Sequence, residues 1–148
     1  MNQVSHLLTA HNSSLLRRLG AIVYDSLLVL ALWILVTIAF IAARQGEAVE
    51  PDDNIVYQLC FPILVYAFFV GFWSWSGRTL GMQTWGLRVE LPDGQLPGPG
   101  VASLRFFTAI VSWLPLGLGF LWQLWDKDKL TWHDRLSGTR LMHYPKAK

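Results

Sequence analysis

Residues 17–43 read RRLGAIVYDSLLVLALWILVTIAFIAA: two arginines, then twenty-five residues, 19–43, with one charge among them, Asp25. A bilayer core requires about twenty consecutive apolar residues, so this stretch predicts a membrane-spanning helix. Charge inside such a helix is costly, about 2.5–3.5 kcal/mol at its centre on insertion scales, and so marks a candidate functional position. Arg18 and Asp25 are seven apart and share a helix face, yet lie about 10 Å apart along the axis. That separation is too long for a direct ion pair. Each group therefore needs another partner from the rest of the chain.

Two readings of Asp25 are open on the residues alone. In one, the helix proper starts at Leu27, and Asp25 with Ser26 caps it at the interface. In the other, Asp25 is buried within the helix against protein. Arg17-Arg18 ahead of an apolar run also resembles a twin-arginine signal. The run is longer than a signal core, contains Asp25, and is followed by further apolar segments. It is expected to remain in the mature chain.

The remaining composition agrees with a membrane setting. Of 148 residues, 53% are hydrophobic and only 15% charged, with 8 Trp and 8 Phe. A charged fraction well below the usual quarter disfavours a soluble domain. The net charge of +2 and the lack of an aromatic-interleaved basic tract exclude a nucleic-acid binder. The one cysteine, Cys60, allows no internal disulfide and no thiolate metal cluster. His6 and His11 in the amino-terminal tail lack further ligands nearby. No metal or cofactor is expected.

Residues 55–75 form a second uncharged run of twenty-one, with Pro62 in its second turn as an expected kink. The acids in 45–54 read as a solvated connector. Residues 84–91, TWGLRVEL, alternate as a strand does, and Pro92-Asp93-Gly94 is a turn. Residues 106–125 are a third apolar run, interrupted by Pro115, Gly117 and Gly119. Residues 139–143 alternate weakly after a glycine, and could pair with the edge of the first strand.

Lysine and arginine counts set the orientation. If the third run crosses fully, the two sides hold five against seven. If it turns back on itself, they hold eleven and one. The second arrangement is favoured, with both termini in the cytoplasm; backbone broken at Pro-x-Gly-x-Gly is tolerated at depth where protein covers it. Arg18, Arg78, Arg105 and Arg135 then fall on one side, together with Asp134. One connected polar cluster of Arg18, Asp25 and Asp134 is expected there. Trp73, Trp75, Trp122, Trp125 and Trp132 are expected in interfacial belts, and Trp33 and Trp113 in packing.

Three motifs in order carry a resemblance: Arg18 with Asp25 seven later; Gly77-Arg78-Thr79-Leu80-Gly81-Met82 running into Gly86-Leu87-Arg88-Val89; and Trp132-His133-Asp134-Arg135-Leu136-Ser137-Gly138-Thr139-Arg140. The chain resembles the RDD family of small bacterial integral membrane proteins, named for one arginine and two aspartates. The resemblance implies that Arg18 is that arginine, with Arg17 the competitor by position, and that Asp25 and Asp134 are the aspartates. For the family it implies an architecture more than an activity, since transport of unknown ligands is proposed and sodium–proton exchange is claimed for some members.

The reading is an all-α membrane protein: an amino-terminal tail over 1–16 and one membrane domain over 17–148. Its helices are expected at about 17–43, 55–75 and 106–125, with a small cytoplasmic β element at about 84–91. The site residues are Arg18, Asp25, Asp134, Arg78 and Arg105. Two functions are compatible with them in a bacterial inner membrane. One is transport of a proton, sodium or small ligand, which so few helices would need an oligomer to accomplish. The other is a non-catalytic scaffold binding another membrane protein, with the charges structural. No enzyme chemistry is expected, and the bilayer lipid is the one certain neighbour.

Overall fold

A computed structural model describes residues 11–50 and 54–145. Helix α1, Leu15–Ala43, is 29 residues long, and α2, Ile55–Trp75, is 21. Both are long and apolar enough to cross a membrane. Their outward side chains are large and apolar: Leu27, Leu35, Ile38 and Ile63 are each more than half exposed. Such a surface is stable against hydrocarbon and unfavourable in water. The Asn54 side chain caps α2 by accepting from the Tyr57 amide at 3.1 Å, and α2 runs on as one helix through Pro62. Of the expected tail at 1–16, residues 1–10, His6 included, lie outside the described residues. His11–Asn12 forms strand β1, and α1 begins two residues before Arg17.

Between α2 and the third apolar segment the chain differs from the alternation-based expectation. Residues 84–91 are not one strand. Thr79 accepts from the Met82 amide and starts a short helix α3, Leu80–Thr84; strand β2 is only Leu87–Glu90. Gly86 makes the turn between them with φ +65°. The expected third helix at 106–125 begins earlier and ends earlier: α4 is Pro99–Trp113. Pro99 lies in its first turn, where a missing N–H is no loss, so the Pro/Gly run starts a helix instead of remaining loop. After α4, Leu116 and Gly117 both adopt left-handed backbone. Helix α5, Leu118–Leu121, and a 3-10 turn, Trp122–Leu124, then leave at 106° to α4. The apolar run is thus sharply bent at its Pro-x-Gly.

Helix α6, Trp132–Ser137, and strand β3, Arg140–His143, complete the described chain. The strand order is β1-β3-β2, antiparallel throughout, with Val89 opposite Leu141 and Leu87 opposite His143. The pairing anticipated for 139–143 therefore forms. The inner face of β2, Leu87 and Val89, is fully buried. It packs with Ala21, Val70, Trp73, Met82, Ala102 and Leu141 in a small core at one end of the α1–α2 hairpin. That core binds the sheet to all three apolar segments. Trp85 falls outside the strand and is 40% exposed.

Gly86 is one close approach in this arrangement. A Cβ there would stand 2.6 Å from the Tyr144 carbonyl oxygen, on left-handed backbone besides. Gly86→Ala is expected to destabilise the protein by about 1–3 kcal/mol. Gly100→Ala, in open space within the first turn of α4, should be neutral or slightly stabilising. Melting of both variants in detergent checks this; equal melting temperatures would show that the β2–Tyr144 approach is not tight.

Candidate functional site

The site is built outward from α6. Its amino end, Thr131-Trp132-His133-Asp134, forms a capping box. The Thr131 hydroxyl accepts from the Asp134 amide at 3.3 Å, and the Asp134 carboxylate accepts from the Thr131 amide at 3.2 Å. The local sequence thereby fixes where the carboxylate points. Two arginines from distant segments meet it. Arg18 Nη1 of α1 donates to Asp134 Oδ2 at 2.6 Å, and Arg105 Nη1 of α4 donates to Oδ1 at 2.6 Å. Arg18 also reaches Thr131 Oγ1, and Arg105 also donates to Thr139 Oγ1. Arg18, Arg105 and Asp134 are each at most 2% exposed. One carboxylate thus ties α1, α4 and α6 together.

Burial by itself would raise the Asp134 pKa. The charges of Arg18 and Arg105 outweigh it and hold the carboxyl below its ordinary value, so it is ionised. His133, beside it, is pushed down to about 3, chiefly by burial, and is neutral at pH 7. Its partners assign the tautomer. Thr131 Oγ1 already accepts from Asp134 N and Arg18, so its proton goes to His133 Nε2 at 3.0 Å. His133 Nδ1–H then donates to Ser112 Oγ at 3.3 Å, and the Ser112 hydroxyl donates to the Thr108 carbonyl.

Asp25 does not join this cluster, contrary to the single network expected. It is the eleventh residue of α1, buried at 3% exposure, which also removes the reading in which it caps a helix starting at Leu27. Its partners come from α3. Thr79 Oγ1 donates to Oδ2 at 2.5 Å, and the Gly81 amide donates to Oδ1 at 2.9 Å. The physical reason is the seven-residue spacing from Arg18. Two turns deeper along α1, the neighbour is the start of α3 and not α6. Gly81 is required for the approach, since a Cβ there would be 2.6 Å from the Ala21 carbonyl oxygen.

Arg78 also lies elsewhere: it is half-buried, and its ionisable neighbours are Arg88, Glu90 and the neutral phenol of Tyr144. Arg135 pairs instead with Asp126 at 2.5 Å and with Asp128 at 3.3 Å. Between the two candidate arginines, Arg18 is the buried one and Arg17 is only half-buried. Trp73 does not sit in a belt: it is 9% exposed and stacks under the Arg105 guanidinium at 5.3 Å. Trp33 packs on Tyr57 and Phe61.

Arg18, Asp25, Arg105 and His133 all border one groove of about 650 Å³ between α1, α2 and α4. A model of the RDD family matches residues 13–138. The chain belongs to the RDD family. Comparisons with curated proteins and with solved structures gave no significant match. In this RDD chain the matched span contains Arg18, Asp25, Arg105 and Asp134, together with the donors Thr79, Gly81 and Thr131. Those last three, with Thr139 and His133, were not picked out as site residues from sequence. The signal for Thr131 was present as a T-x-x-D capping box; Thr79 and Gly81 lay unassigned within the GRTLGM motif.

Asp134→Asn strands two buried guanidiniums and should destabilise the protein by about 3–5 kcal/mol, read as a fall in melting temperature in detergent. Asp126→Asn, which removes only the counter-charge of the half-exposed Arg135, should lower the melting temperature much less. Similar effects from the two substitutions would mean that the cluster does not bear on stability.

Proposed function

We propose that this RDD chain is a non-catalytic subunit of the bacterial inner membrane that binds a membrane partner, with Arg18–Asp134–Arg105 as a structural lock. The observation that carries the reading is the saturation of Asp134. Both of its oxygens accept from arginines at 2.6 Å, and no face of the residue is exposed. A carboxylate so held has no oxygen left for a travelling cation, and freeing it would leave two buried guanidiniums without a counter-charge. Buried charge of this kind favours one docking geometry over others, here that of a bent third segment with no continuous helix to hold its position.

A second reading, cation or proton transport, is favoured by one feature. Asp25 borders the groove with no cationic partner among the described residues; its oxygens are bonded by a hydroxyl and an amide. A pathway walled by so few segments would require self-association. The readings separate on wild-type protein, Arg18→Gln and Asp25→Asn, each melted in detergent and assayed for proton and sodium flux in liposomes. The lock reading expects no wild-type flux and a loss of about 3–5 kcal/mol in Arg18→Gln. Wild-type flux that vanishes in a normally folded Asp25→Asn would overturn it in favour of transport.

In the same reading both ends of the chain and the small sheet lie on the cytoplasmic side, supported by the eleven-to-one division of lysine and arginine. In a Cys60→Ala background, a cysteine at Glu50 should react with an impermeant thiol reagent added outside cells, and one at Asp93 should not. Labelling of 93 with protection of 50 would invert the orientation.

A further inference from the structure

Arg78 and Arg88 take no part in the attachments at Asp134 and Asp25. Arg88 lies on β2 between Leu87 and Val89, whose side chains fill the core, so its own side chain leaves the opposite face of the sheet, with Glu90. The turn after α2 is tied to that strand. The Gly77 carbonyl accepts from the Val89 amide at 2.7 Å, and Gly77 itself has left-handed backbone, φ +73°. A Cβ at 77 would meet Arg88 Cγ at 3.1 Å, so the stem of Arg88 lies against the residue that precedes Arg78. The Ser76 hydroxyl donates to the Arg78 carbonyl at 2.9 Å and closes the turn.

The two guanidiniums are held close enough to repel. Burial first, and then the charge of Arg88, lower the Arg78 pKa. The carboxylate beside them is Glu90, which is buried and engaged: Tyr144 donates its hydroxyl to Oε2 at 2.7 Å. Among the described residues neither arginine forms an ion pair or a side-chain hydrogen bond. Both are only half-buried, and apart from Arg88 Nε their nitrogens are not enclosed. Unrestrained surface arginines separate into water; these two are kept together by the Gly77–Val89 bond and by the packing of the Arg88 stem. Like charges fixed side by side and open on their outer side are stabilised by an anion between them.

The place in the fold names the source of that anion. Arg78 follows the last residue of span α2 by three positions, and the exposed Trp75 and Leu80 flank it. Such side chains stand where hydrocarbon gives way to headgroups, which puts lipid phosphates at the level of the guanidiniums. We propose that Arg78 and Arg88 together bind the headgroup phosphate of one anionic phospholipid, in the leaflet on the side of the small sheet. The planar forks of two arginines match phosphate oxygens. A choline headgroup offers the same phosphate but brings a cation against both guanidiniums. The site is separate from the Arg18–Asp134–Arg105 lock and shares no residue with it.

The test is native mass spectrometry of the full chain in detergent, titrated with phosphatidylglycerol or with phosphatidylcholine of identical chains, and repeated with inorganic phosphate as competitor. Phosphatidylglycerol should be retained about tenfold more tightly than phosphatidylcholine. Arg78→Gln and Arg88→Gln should each weaken it about fivefold, at unchanged melting temperature, and leave phosphatidylcholine as it was. Arg135→Gln removes an arginine already paired with Asp126 and should leave phosphatidylglycerol retention unchanged. Glu90→Gln keeps an acceptor for Tyr144 but removes the neighbouring negative charge, and should tighten phosphatidylglycerol several-fold. Equal retention of the two lipids would overturn the proposal. So would equal weakening by Arg135→Gln and Arg88→Gln, which marks general surface charge, or displacement of the lipid by equimolar inorganic phosphate, which marks a free anion as the occupant. Should either arginine variant melt early, Glu90→Gln decides, and unchanged retention there would overturn the site.

Discussion

Asp134, held between Arg18 and Arg105, is the constraint on which the rest of the molecule depends. Removing a carboxylate from water carries a desolvation penalty that one ion pair in poor geometry does not repay. Here the carboxylate has two charged donors at 2.6 Å and a backbone amide, and its capping box sets its direction before the arginines arrive. The three segments it joins lie far apart in sequence. Arg18 is near the start of the first span, Arg105 in the first half of α4, and Asp134 in a six-residue helix that could not be stable alone. Hydrophobic burial could hold these pieces together in several orientations. The directional bonds to Asp134 select one.

The second attachment works by different chemistry. Asp25 is bonded by a hydroxyl and an amide, both from the start of α3, without a cation. It pulls α3 onto α1 closely enough that only glycine fits at position 81. Beneath, Leu87, Val89 and Leu141 of the sheet close a small core with Ala21, Val70 and Trp73. One end of the span hairpin is therefore held by two carboxylates and a core, while the groove between α1, α2 and α4 stays open. Fixation is dense on one side of the hairpin, and the wall on the other side is open and apolar.

The apolar spans could be read in the sequence because bilayer thickness sets a length that a run of residues either meets or does not. The sharp bend of the third segment was legible at Pro115 and Gly117 for an equally local reason: proline lacks the donor and glycine admits left-handed backbone. The pairing of 139–143 with the first strand was visible in outline. The start of α4 at Pro99 was less so, because a Pro/Gly-rich stretch serves equally as loop or as helix start. The strand at 84–91 was overestimated because alternation says nothing of Thr79, whose capping hydroxyl turns 80–84 into helix.

The sequence by itself determined that two helices span, that the third apolar run breaks, and that Arg18 and Asp25 need partners from the rest of the chain. Those properties belong to single residues and short runs, since desolvation acts on each charge wherever it is buried. The tertiary structure alone decided the pairing: Asp134 with two arginines, Asp25 with Thr79 and Gly81, and Arg78 with neither. Partners 29 to 116 residues apart are chosen by where the helices cross and by which donors lie at a given depth along α1. No local pattern encodes that depth until the segments have packed.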